Sequence, residues 1–422
     1  MYKKTVLNNG VRIITHDIRD RDSIALGFWI GVGGRYEDDR IKGIAHFLEH
    51  VVFKGSRKYS GEEIKRRIEG VGGSLNAFTT EEQTCFYAKI PSKHVNQTFD
   101  VLADMVLCPK IAAADVAKEK TVIVEEIKMY HDLPQYFVLE LLDELVWPGH
   151  PLGKNLAGSV ESVTGIASAD LRGFHRRHYA PENIVVAACG HLTHPKIVQL
   201  TRKAFSALNP LPKQDYIKVN GAQSKPRARF YKKDIEQMHV ALGMPGYHER
   251  HKDRYVLSLL SIILGGNMSS RLFVEIREKR GLAYSISSSF KALHDTGLFL
   301  IRAGVDNTKV TEAVTLIQKE LDKVKRNEVG QNEFERAREY LSGQLILGLE
   351  DTMEHMLWVG EGVIAKDETK TMKSMLQELA KIKRADVKRV AAEILDQNRH
   401  NLAVIGPLTE QQQEQLSKMM NV

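Results

Sequence analysis

The mixed order of strand-like and helix-like segments predicts an α+β fold. It is built twice over, as two homologous domains, each a mostly antiparallel sheet packed with helices. Two observations carry this expectation. First, short runs with strand character alternate with longer segments of helical period. Second, short matches recur in the same order at an offset of 216 residues, as from Ala25 to Ala241. Ala25-Leu26-Gly27 returns as Ala241-Leu242-Gly243, and Ala169-Asp170-Leu171 as Ala385-Asp386-Val387. Asn183 to Gly190, then Leu192-Thr193, returns with a small shift as Asn401 to Gly406, then Leu408-Thr409. The chain has 422 residues, too many for one ordinary hydrophobic core.

The first half opens with a hairpin. Asn9-Gly10 is a favoured two-residue turn between alternating runs. A strand follows at 24–32, then a helix at 43–53, strands at 74–79 and 84–90, helices at 94–107 and 113–131, and a closing strand at 183–189. The second half reads similarly, with strands at 228–233, 238–244, 282–292 and 296–304 and helices at 307–326 and 330–348. Between the halves, Pro210, Pro212, Gly221 and Pro226 punctuate a polar stretch of little periodicity. The expected domains are therefore 1–210 and 228–422, joined by a linker at 211–227.

Composition excludes several classes. Hydrophobic residues make up 43% and charged residues 27%, as in an ordinary globular protein, so a disordered or collagen-like chain is out. The net charge of +7 is small against 60 basic and 53 acidic residues. Its densest runs, Lys213 to Lys233 and Lys323-Val324-Lys325-Arg326, read as solvated surface rather than a nucleic-acid footprint. No stretch of 18 apolar residues offers a membrane span. Cys85, Cys108 and Cys189 are odd in number, far apart and set among apolar residues, so they read as buried thiols in a reducing compartment. No apolar leader follows Lys3-Lys4, and the cytoplasm is the expected location.

The strongest chemical signal is His46-Phe47-Leu48-Glu49-His50. On a helix, residues four apart share a face, so both imidazoles can point at one ion. Glu49 sits beside that face, in the inverted form of the H-E-x-x-H order. Ile44, Phe47, Leu48, Val51 and Val52 give the segment apolar faces to pack. A catalytic zinc site takes three protein ligands and leaves one position open, so a third ligand is needed. The segment Lys118 to Ile127 supplies Glu119, Glu125 and Glu126. Glu119 and Glu126 are seven apart and share a face, while Glu125 points about 100° away. Spacing alone leaves Glu125 and Glu126 both open as the ligand. Glu119 suits a supporting acceptor that orients a ligating histidine. The pair His175 and His178 has a possible ligand spacing but nothing acidic or sulfurous nearby, and His150, His191 and His194 fall in probable loops, so all five read as ordinary histidines.

Gly43 to Gly55 resembles the active-site helix of the M16 metallopeptidases (pitrilysin, insulysin, mitochondrial processing peptidase). Val122-Ile123-Val124-Glu125-Glu126-Ile127 is similar to that family's glutamate-rich segment. The resemblance places Glu126 at the third ligand position and Glu119 at the supporting acid. Gly72 to Thr79 resembles the family's strand that pairs with bound peptide, which implicates Asn76 and Ala77. Leu264 to Phe273 is similar to its glycine-rich segment, which runs on through Ile276 to Ser285. There the resemblance carries Arg277 and Tyr284 over as groups that contact substrate near the scissile bond.

The resemblance spans nearly the whole chain. Its length points to the processing-peptidase-like subfamily, and it implies a LuxS/MPP-like fold and paired chains forming a chamber. The implied activity is a Zn2+-dependent endopeptidase with His46, His50 and Glu126 as ligands and Glu49 as general base, acting on peptides or unfolded segments. The chain carries both the metal set and the Arg/Tyr pair, so a homodimer is expected. A non-catalytic structural subunit of the same fold is the alternative. A nucleic-acid-binding protein is a further rival, without a recognisable motif. At the repeat offset, His46, Glu49 and His50 correspond to Ile262, Gly265 and Gly266, and Glu126 falls near Ser342 or Gln344. The second half therefore has no equivalent metal set.

Overall fold

A computed structural model of the chain describes residues 1–212 and 214–422. Lys213, at the start of one basic run, lies outside the described residues. The first half runs β1 (Tyr2–Val6), β2 (Arg12–Asp17), β3 (Ser23–Ile30), α1 (Ile44–Val52), α2 (Gly61–Glu69), β4 (Ser74–Thr79), β5 (Thr84–Pro91), α3 (Val95–Leu107), α4 (Ala113–Asp132), α5 (Pro134–Val146), α6 (Val160–Gly165), α7 (Ser168–His178), β6 (Ile184–Gly190) and α8 (His194–Phe205). The second runs β7 (Arg227–Lys232), β8 (Gln237–Pro245), α9 (Arg254–Gly265), β9 (Ala283–Ala292), β10 (Gly297–Asp306), α10 (Val310–Arg326), α11 (Gln331–Gly348), α12 (Thr352–Lys366), α13 (Met372–Lys381), α14 (Arg384–Ile394), β11 (Asn401–Gly406) and α15 (Glu410–Met420). The fold is α+β.

The duplication is visible in the sheets. The first has strand order β1-β2-β6-β3-β5-β4, the second β7-β11-β8-β10-β9. Setting β7 against β2 makes the two orders identical, apart from the extra β1. In each sheet one pair is parallel, β2 with β6 and β7 with β11, and the other pairs are antiparallel.

Packing divides the chain into two compact units that are discontinuous in sequence. One comprises Met1–Ile127, Asn155–Ile217 and Ile346–Thr371; the other comprises Lys128–Lys154, Lys218–Leu345 and Met372–Val422. In the first unit, one sheet face and the helices α1, α3 and α7 enclose a core that includes Phe28, Phe47, Phe86, Phe99 and Phe205. The opposite face is covered by α12, whose Met356, Val359, Val363 and Ile364 meet Trp29, Val185 and Ala187. Each of these four α12 side chains contributes on the order of 1.5–3 kcal/mol by leaving water. Burial on both faces explains why β6 is apolar throughout rather than alternating. In the second unit α5 has the equivalent place, with Leu141, Leu142 and Val146 against Ala241, Ala403 and Ile405.

Two local expectations need correction. The hairpin turn is not the two-residue type. Leu7 N donates to Val11 O at 2.9 Å, which closes a three-residue turn with Gly10 at φ +95°. A left-handed glycine after a tight turn is the usual three-residue solution. Cys85 and Cys189 are buried, but Cys108 is only half-buried, because it follows the last turn of α3. Among the described residues, no helix is long and apolar enough to cross a membrane.

Candidate metal centre

Helix α1 is anchored before it begins. Gly43 starts it at φ +94°, and a Cβ there would fall 2.3 Å from Ala157 O, so only glycine fits. The buried Glu37 carboxylate accepts from Gly43 N at 3.0 Å and Ala45 N at 2.8 Å. These are donors that the helix itself leaves unsatisfied. Burial pushes the Glu37 carboxyl up, and Lys42, 3.1 Å away, and the two backbone donors pull it back. Ile44, Phe47, Leu48, Val51 and Val52 then face the core. This leaves His46, Glu49 and His50 half-buried on the remaining face.

The two imidazoles lie with ring centroids 4.6 Å apart. Helix α4 brings Glu126 to them: its carboxylate is 3.8 Å from His46 Nε2 and 3.5 Å from His50 Nε2. One candidate donor atom from each of the three residues lies within 4.8 Å of the others. A tetrahedral ion with bonds near 2.0–2.1 Å spaces its ligands about 3.4 Å apart, so two imidazoles and a carboxylate at these separations fit zinc. Burial, with a smaller contribution from His50, lowers His46 to about 3. The ring is thus held neutral, the form that can ligate. Glu125 is exposed, whereas Glu126 is half-buried beside the histidines.

Glu119 is buried two turns before Glu126. One of its oxygens is 3.2 Å from His50 Nδ1 and the other 2.5 Å from Lys54 Nζ. Glu49 is not one of the three clustered donors. Thr79 donates to its Oε2 at 2.5 Å. Burial pushes the Glu49 carboxyl up, the Thr79 hydroxyl and His50 pull it down, and Glu126 pushes it further up.

Asn76 and Ala77 lie on β4, the outermost strand beside β5. The Asn76 side chain accepts from Ala77 N at 2.8 Å. Arg277 and Tyr284 belong to the second unit, where they are neighbours. The Arg277 guanidinium lies 4.7 Å over the Phe273 ring and 5.7 Å from that of Tyr284, which is 74% exposed. Arg277 sits in a π-helical turn, Phe273–Glu278, closed by Lys279 N donating to Val274 O. Sequence reasoning missed Glu37, Lys54 and Thr79. Thr79 closes the Gly72 to Thr79 segment, and strand parity, which puts it on the face of Leu75 and Ala77, was the signal that could have singled it out.

The model of the insulinase family, peptidase family M16, matches residues 12–160, and that of the peptidase M16 inactive domain matches residues 165–341. An uncharacterized zinc protease of Streptomyces coelicolor is 37% identical over 98% of this chain and 91% of its own length. An uncharacterized zinc protease of Bacillus subtilis is 34% identical over 96% of this chain and 98% of its own. A protease from Helicobacter pylori of known crystal structure superposes with a TM-score of 0.92 at 24% identity, covering 96% of this chain and 99% of that one. A peptidase M16 inactive domain from Pseudomonas fluorescens gives 0.91 at 20%, covering 97% and 98%. Both likenesses speak to the fold.

Proposed function

Because the chain belongs to the M16 (insulinase) peptidase family, we propose that it is a zinc-dependent endopeptidase acting on peptides or unfolded polypeptide segments. The observation that carries the reading is the convergence of His46, His50 and Glu126 within 4.8 Å, with Glu49 one residue from His50. In this reading those three residues hold the ion. Zinc at such a site supplies Lewis acidity, polarising the scissile carbonyl and making water acidic enough to ionise near neutral pH.

Glu49 is the general base. One of its oxygens is engaged by Thr79, so the other takes the proton of the attacking water and later returns it to the leaving amine. Glu119 holds His50 in the tautomer that carries its proton on Nδ1 and leaves Nε2 to ligate. Substrate adds as a strand along β4 near Asn76 and Ala77, through main-chain hydrogen bonds that read little sequence. Arg277 and Tyr284 contact the substrate carbonyl and the developing oxyanion. The second half contributes shape and contacts rather than chemistry, since Ile262, Gly265 and Gly266 stand where ligands and base would be. The active form is a homodimer, because one chain carries both the metal set and the Arg/Tyr pair.

Metal analysis and cleavage of a quenched fluorescent peptide, on wild type and Glu49→Gln together, test the reading. The expected result is equal zinc content in both and loss of about 10²–10⁴-fold in turnover for the variant. Near-normal turnover in Glu49→Gln would remove Glu49 as the base. Absence of zinc from active wild type would remove the metal assignment. Light scattering on the purified protein tests the dimer.

A further inference from the structure

We propose that Thr79 is a positioning residue that couples the peptide-binding edge strand to the general base. The inference rests on Glu49 being that base and β4 that edge. Residues 75, 77 and 79 point to one face of the strand, and Leu75 and Ala77 pack against the core beneath α1. The same alternation delivers the Thr79 hydroxyl to Glu49, 30 residues away in sequence, at 2.5 Å. An ionised carboxylate can only accept, so the threonine is the donor. This class of short hydroxyl-to-carboxylate bond is roughly twice as strong as a neutral one.

The donor has one competing acceptor, and it is the weaker. Thr79 and Thr84 face each other in the β4–β5 register, with hydroxyl oxygens 3.4 Å apart. Thr84 spends its one proton on Val32 O at 3.0 Å. The Thr84 oxygen can therefore only accept from Thr79, and the Thr79 proton goes to the nearer and charged acceptor, Glu49, at 2.5 Å against 3.4 Å. A β-branched side chain suits the task, since its stiff χ1 presents the hydroxyl in one direction. Serine keeps the hydroxyl but loosens that direction, and valine keeps the shape but loses the hydroxyl.

The consequence is mechanical. Thr79 is the last residue of β4, and a peptide pairing with this strand acts on the element that orients the Glu49 carboxylate. A substrate in register steadies β4 and with it the base. Binding and chemistry then separate in the kinetics. Loss of the hydroxyl leaves strand pairing intact and misdirects the base, so kcat falls while KM holds.

The test compares wild type, Thr79→Val, Thr79→Ser and Glu49→Gln as full-length protein. The readouts are kcat and KM on a quenched peptide, melting temperature, and zinc affinity of the metal-free protein by chelator competition. Thr79→Val is expected to lower kcat about 10–100-fold, the scale of a misplaced catalytic group. Its KM, melting temperature and zinc affinity stay within about twofold or a few degrees of wild type. Thr79→Ser recovers most of the loss. Thr79→Ala serves the same comparison should the valine perturb folding. An unchanged kcat in Thr79→Val beside an inactive Glu49→Gln overturns the positioning role alone. Weakened zinc binding in Thr79→Val also overturns it, because the residue would then act on the fold of the site. Retained turnover in Glu49→Gln overturns the base assignment and this proposal with it.

Discussion

His50 Nδ1 lies 3.2 Å from a carboxylate oxygen of Glu119, while Nε2 of the same ring faces Glu126. The ring is thus oriented from both sides. Removing Glu119 leaves all three proposed ligands in place but frees the ring to rotate, and it strips Lys54 of its partner. Glu119→Ala is expected to lower zinc affinity roughly 10–100-fold. Competition with a chelator measures it, and unaltered affinity would show that the contact is packing only.

Glu125 and Glu126 give a sharper contrast. Their side chains diverge by about 100° around α4. Only Glu126 lies among the possible donor atoms, and Glu125 is exposed. Glu126→Ala should lose most bound zinc, whereas Glu125→Ala should retain it. Metal content after dialysis separates them, and the reverse pattern would transfer the ligand role to Glu125.

What was legible in the sequence follows from the range of the forces involved. Helix α1 and strands β4 and β5 were readable because their periodicity is local, and their bounds hold to within a residue or two. The repeat was readable because each half buries the same pattern in the same order. Helix α12 was different. Its apolar residues announce burial, but nothing local says that they cover the sheet of the first unit. The choice between Glu125 and Glu126 also lay beyond spacing, since it depends on how α4 is rotated against α1. Glu37 and Thr79 escaped notice for the same reason. A capping carboxylate six residues before the glycine that precedes its helix, and a strand hydroxyl 30 residues from its acceptor, are tertiary facts.

Acid should destabilise the fold in a defined window. Burial is the main cause that lowers His16, His178 and His400, each from 6.5 to about 4. Each is neutral in the folded state while the unfolded chain would bind a proton. Between about pH 6.5 and pH 4 the unfolded state binds more protons, so stability is full above the upper limit and drains away as pH falls toward the lower. The melting temperature should decline across that window. His178 packs on Phe174, with ring centroids 4.3 Å apart, so His178→Phe should flatten the decline. An equally steep profile in that variant would remove His178 from the account.

Two glycines on helices should respond in opposite directions to the same substitution. Glycine to alanine within a helix ordinarily stabilises by about 0.8–1 kcal/mol. Gly343 on α11 has nothing within 4 Å of an added Cβ, so Gly343→Ala should follow that rule and raise the melting temperature slightly. Gly360 on α12 lies against Trp29, and a Cβ there would stand 2.1 Å from the indole nitrogen. The indole is wedged in the buried layer with Met356 and Val359 and has little room to retreat. Overpacking of this kind costs about 1–3 kcal/mol, which outweighs the helical gain. Gly360→Ala should therefore lower the melting temperature while Gly343→Ala does not. A stabilised Gly360→Ala would mean that α12 can lift from the sheet without penalty, and that its close approach to Trp29 contributes little to the first unit.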